Sequence, residues 1–196
     1  MKNKQESPDF TSSIYFTIAL FIIFIGVLLS LRYLLDENLK DKEYNNEYDI
    51  ITSVIGTEFD NNPLEEKTII SSVDGKDKLE LYPARQNGLV TSVVIKVGNE
   101  RGYGGYMELV VGFFMDGTIS RYRIITHNET LGLGSRITSK DFSEQFEWVN
   151  PERQVFKVAK DGGDIDAVAS ATVSSRAVID SIRKAYDAYK KFIVGE

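Results

Sequence analysis

Seven residues near the C-terminus, Asp166-Ala167-Val168-Ala169-Ser170-Ala171-Thr172, read D-x-x-x-S-A-T and run straight into Val173-Ser174-Ser175-Arg176. A threonine at a helix start lies at the positive end of the macrodipole, beside backbone N–H groups that have no intrahelical partner. Such a place can hold a phosphate, and the hydroxyl can also become covalently attached to one. Arg176 lies one turn further on and can face the same phosphate; its plainer reading is a solvated helix surface. Asp166 suits phosphate binding poorly, because two anions repel. Recognition by a modifying enzyme fits it better.

Two further segments carry the same flavour. Gly102-Tyr103-Gly104-Gly105 precedes one expected strand, and Glu129-Thr130-Leu131-Gly132-Leu133-Gly134 follows another. Alone, each has a bland explanation: a turn, a helix start, a cap. The second also fails the dinucleotide-binding fingerprint, lacking its third glycine and its βαβ setting. As a set, small residues at all three places let backbone N–H groups approach a planar, phosphorylated ligand closely.

Composition narrows the chemistry. The chain has 196 residues and a net charge of -6, a poor surface for nucleic-acid phosphates. It has no cysteine, hence no disulfide and no cysteine-ligated iron–sulfur cluster of its own. One histidine, His127, excludes a histidine-rich metal site. Redox chemistry here requires an organic cofactor.

The elements that must position these segments follow from the pattern. Phe10 to Leu31 carries no charge, with Tyr15 and Tyr33 near its ends. As a helix these residues span roughly 33 Å, close to the hydrocarbon thickness of a bilayer. An uncleaved single-pass helix over 13–35 is expected, after a short N-terminus over 1–12. A buried core helix would show a polar face, and a signal peptide would be shorter and end in a cleavage site. Basic residues flank the segment on both sides and do not decide orientation. Residues 36–62 read as a charged stalk, helical or flexible, and 63–196 as the folded domain. There, Leu89–Val97, Met107–Phe114 and Thr118–Ile125 read as strands, with Asp116-Gly117 as a hairpin turn. The stretch 64–82 is ambiguous. Val178, Ile182, Ala185, Tyr189 and Phe192 recur at helical spacing, with Ser174 or Ser175 as its cap. The expected class is α+β, an antiparallel sheet with packing helices.

The ordered set G-Y-G-G, D-G-T-I, H-x-E-T-x-G-L-G and D-x-x-x-S-A-T-x-S-S-R-A-V, covering residues 88–180, resembles the G subunit of Rnf complexes. It is also similar to the C subunit of the Na+-translocating NADH:quinone reductase. Those proteins usually have Ser/Thr-Gly-Ala-Thr where this chain has Ala169-Ser170-Ala171-Thr172, and proline where it has Leu131. The resemblance implies one FMN joined through its phosphate to Thr172 by a flavin transferase that recognises Asp166. It implies cofactor contacts from Ser170, Ala171, Val173, Ser174, Arg176, Glu129, Thr130, Leu131, Gly132, Tyr103 and Gly104. It further implies electron transfer within an ion-translocating ferredoxin:NAD oxidoreductase, beside membrane subunits bearing flavins and iron–sulfur centres. The N-terminus would be cytoplasmic and the FMN-binding domain outside the bacterial cytoplasmic membrane. The competing readings are a non-redox structural subunit and a stand-alone membrane-tethered flavoprotein reductase.

Overall fold

A computed structural model describes residues 10–195, and of residues 10–13 and 33–41 the backbone alone. The expected N-terminus up to residue 9 and the Tyr33 ring lie outside the described residues. The chain forms two compact units, Met1–Asn46 and Glu47–Glu196.

The first unit holds most of one helix, α1 (Phe10–Ser53). Its stretch Ile14–Arg32 is long and apolar enough to cross a membrane, and none of it is buried. The charged residues 36–50 continue α1 without a break, so they are helical rather than flexible.

The second unit is built on five antiparallel strands in sequence order: β1 (Thr68–Ser71), β2 (Lys78–Gln86), β3 (Leu89–Gly102), β4 (Gly105–Phe114) and β5 (Ile119–His127). The ambiguous stretch thus supplies β1 and part of β2. Pro83 is tolerated in β2 because β1 pairs only with Lys78–Leu81, which leaves β2 without that neighbour at Pro83. Asn87 and Gly88, with φ of 52° and 78°, form the two-residue turn that pairs Gln86 with Leu89. At the β4–β5 turn, Asp116 accepts bonds from the Thr118 N–H and hydroxyl, both 2.9 Å, and Gly117 takes φ 81°.

Central strands buried on both faces explain the β-branched run in β3: Val93, Val94 and Ile95 are all fully buried. One face, with Val93, Ile95, Val97, Leu109, Val111 and Phe113, packs on Val178, Ile182, Ala185 and Tyr189 of the long helix α3 (Thr172–Tyr189). Each Val, Leu, Ile or Phe side chain here contributes roughly 1.5–3 kcal/mol on burial. Phe192, expected on this stripe, is exposed; it follows α3 in a wider turn, Lys190–Val194, that rotates it out of phase. On the other face, Ile51 and Val54 cover Tyr82, Val94 and Val110. Between β5 and α3 the chain makes a short helix, α2 (Lys140–Ser143), and irregular turns. Phe146 pins this crossing, meeting Tyr122, Phe142 and Phe156 edge-on at 5.2, 5.3 and 5.7 Å.

Candidate functional site

The fold brings the G-Y-G-G turn, the E-T-L-G-L-G loop and the start of α3 against one another. Gly102 pairs with Gly105 across the tight turn that links β3 to β4. A Cβ on Gly104 would fall 1.9 Å from the Asn128 carbonyl oxygen, so only glycine lets this turn lie on the chain leaving β5. A Cβ on Gly102 would fall 2.6 Å from Glu129 Oε1, and one on Gly134 would fall 2.6 Å from Glu129 Oε2. These three glycines let protein segments approach one another closely. Gly105 and Gly132 differ. Both take positive φ, 96° and 78°, and both have open space where a Cβ would stand.

Glu129 lies at the centre of the convergence and is only 6% exposed. Its Oε2 accepts a 2.6 Å bond from the Ser174 hydroxyl, while its buried Oε1 has no partner among the described residues. A buried polar atom without a partner is rare and expensive. Its N–H donates to His127 Nδ1 at 3.2 Å, which gives the histidine a loop-closing role. Thr130 O receives N–H groups from Leu133 and Ser135 at 3.3 and 3.1 Å. Gly132, third in the turn 130–133, takes the positive φ that a type II turn demands there. Leu131, second in the turn, is 87% exposed.

Helix α3 starts without a capping side chain. Its N-cap is Ala171, and the expected caps are used otherwise. Ser174 turns inward to Glu129. Ser175 accepts from Val168 N–H and donates to Ala171 O, both at 3.0 Å, which folds the D-x-x-x-S-A-T run back on the helix. The first N–H groups of α3 therefore remain open to an anion. The Thr172 hydroxyl is half-buried and engages no protein group among the described residues. Ser170, just before it, has φ 63°, the left-handed region in which glycine is at ease.

The two charged residues of the motif are held apart from the Glu129 centre. Arg176 grips Asp161 with two bonds of 2.7 Å; this bond holds the Asp161 carboxyl below its ordinary range. Asp166 has an exposed side chain, but its backbone is clamped by the Gln145 amide, which donates to its carbonyl at 3.1 Å and accepts from its N–H at 2.8 Å. Sequence reasoning misses Gln145 and Asp161, because partners 21 and 15 residues away carry no local signal. Around the convergence, Tyr103 (74% exposed), Leu131, Leu133 and Val173 present apolar surface to solvent.

These features suit a planar ligand with an anionic tail. Open N–H groups and a free hydroxyl would face the tail, and exposed apolar side chains stand beside them. The profile of the FMN-binding domain family matches residues 102–187, which span all three segments. The fold is similar to the crystal structure of the C subunit of Na(+)-translocating NADH-quinone reductase from Parabacteroides distasonis, with a TM-score of 0.59 and 18% identity over 83% of this chain and 98% of that one. The G subunit of the ion-translocating oxidoreductase complex from Vibrio cholerae serotype O1 is 31% identical over 169 residues, 82% of this chain and 81% of that protein. Its counterpart from Vibrio atlanticus is 29% identical over 168 residues, 82% of this chain and 80% of that one. The chain thus carries an FMN-binding domain. It belongs to the family of G subunits of ion-translocating oxidoreductase complexes.

Proposed function

We propose that this protein is a membrane-anchored electron-transfer subunit that carries one FMN esterified to Thr172. The observation that carries the reading is the free Thr172 hydroxyl at an uncapped helix start, where three motif segments converge. The open N–H groups of α3 hold the phosphate, with the macrodipole behind them. Ser170 and Ala171 shape the approach. Leu131, Tyr103 and Val173 offer apolar surface to the ring, with Thr130, Gly132 and Gly104 as the backbone around it. Glu129 and Ser174 support these from beneath, Arg176 lies one turn on, and Asp166 is the handle for the transferase. FMN when bound supplies the redox chemistry, one or two electrons at a time.

The Thr172 hydroxyl would supply the oxygen through which the FMN phosphate is held, its proton passing to the modifying enzyme, while the first N–H groups of α3 would face the phosphate oxygens. An ester at Thr172 keeps the carrier on the protein outside the cytoplasm. Ile14–Arg32 anchors the chain with its N-terminus cytoplasmic. The reaction served is ferredoxin:NAD oxidoreduction coupled to ion transport, beside membrane subunits bearing flavins and iron–sulfur centres.

Co-expression with a flavin transferase tests this. The intact protein should gain the mass of one FMN less water and fluoresce on a denaturing gel. Thr172→Val should abolish both, and a persisting adduct would refute the assignment. An unmodified chain without flavin absorbance from its native membrane would instead favour the purely structural role.

A further inference from the structure

We infer that Glu129 is the positioning residue for modification of Thr172, acting through Ser174; this rests on the assignment of Thr172 as the acceptor. A carboxyl beneath a phosphate site is electrostatically adverse, so its presence there points to what it holds. Glu129 holds Ser174, 45 residues away, by its one side-chain bond among the described residues. Both carboxyl oxygens are sealed in by glycines: a Cβ at Gly102 or at Gly134 would collide with one of them at 2.6 Å. The enclosure leaves the carboxyl a single position, and that position fixes the Ser174 hydroxyl.

Ser174 is the third residue of α3, where a free serine hydroxyl would compete for the helix's own backbone groups. Drawn inward to Glu129, it cannot. Thr172, two residues earlier, is rotated by roughly 200° around the helix axis from Ser174. A first turn anchored by its inner face therefore presents Thr172 on the other side, with the first N–H groups unclaimed. The carboxyl sets the acceptor's direction without touching the incoming group.

The full chain, with Glu129→Ala, Ser174→Ala and Glu129→Gln variants, tests this by two readouts. The first is amide exchange of the first turn of α3 against its later turns. The second is the rate of flavin incorporation from a flavin dinucleotide donor at varied transferase concentration, read by intact mass. Glu129→Ala and Ser174→Ala should speed exchange in the first turn alone about tenfold. They should slow incorporation at saturating transferase about tenfold or more, with the half-saturating concentration unchanged. Glu129→Gln keeps a carbonyl oxygen for the Ser174 hydroxyl and should recover to within about threefold of the parent. Should Glu129→Ala fail to fold, Ser174→Ala carries the same test. Parental exchange and loading in Ser174→Ala overturns this inference alone, as does Glu129→Gln behaving like Glu129→Ala. Absence of any adduct on the parent chain overturns the acceptor assignment, and this inference with it.

Discussion

The start of α3 and the joint where the end of α1 meets the sheet are built by opposite rules. At the joint, polar groups are paired. Val54 O accepts from the Ser120 hydroxyl, a Cβ on Gly112 would fall 2.0 Å from the same oxygen, and Ser53 O accepts from Arg121 at 3.3 Å. The Tyr82 hydroxyl lies within reach of both Glu47 and Glu80, with one proton to give to either, and Lys96 lies 3.6 to 3.8 Å from Glu47, Glu80 and Glu108. At the start of α3 the cap is missing, a carboxyl oxygen is orphaned and Ser170 sits in a strained backbone region. Local rules are kept at the joint and broken at the start of α3, the pattern that functional sites show.

Two glycine substitutions break the comparison most sharply. Gly104→Ala and Gly112→Ala each drive a Cβ into a backbone carbonyl and should each cost about 3 kcal/mol in urea unfolding. Their consequences should separate: Gly104→Ala abolishes flavin loading, while Gly112→Ala leaves loading of the folded fraction intact. Ser120→Ala removes the hydroxyl bonded to Val54 O and should cost about 1–2 kcal/mol by the same measure, with loading unchanged.

The joint should also respond to acid. Burial works against ionised Glu80, but the Tyr82 hydroxyl, Lys96 and Lys67 outweigh it and hold its carboxyl below the usual range. A folded value below the unfolded one means that the stabilisation is complete above about pH 4.3 and is lost as pH falls through the lower folded value. Thermal melts from pH 7 to pH 3 should show Glu80→Gln losing less stability on acidification than the parent, by under about 1 kcal/mol. The smallest effects lie at the strained site. Ser170→Gly should stabilise by up to about 1 kcal/mol, and Leu131→Pro by about 0.4–1 kcal/mol, both read by melting temperature. A destabilised Leu131→Pro would show that the turn 130–133 is not of type II.

Much of this was legible in the residues. The β-branched run of β3, the Asp116-Gly117 turn and the apolar stripe of α3 all follow local periodicity, and each formed. β2 was obscured by Pro83, which reads as a strand breaker unless it is known where β1 ends. The Asn87-Gly88 pair, a strong hairpin signal, marks its end. At the site, motif spacing pointed to Thr172, but a serine in a first turn reads as a cap. Only tertiary structure, with Glu129 arriving from 45 residues away, turns Ser174 inward. The glycines were legible as special, while whether each met a ligand or another segment depended on what the fold placed beside it.

Gln145 clamps the Asp166 backbone from both sides and leaves its carboxylate in solvent. A flexible tail would have to surrender its freedom each time an enzyme docked on it, weakening every encounter. Here that ordering is complete once the domain has folded. If the proposed transferase docks on Asp166, it would meet a rigid handle that an unfolded chain does not offer, and modification would double as a check that folding is finished.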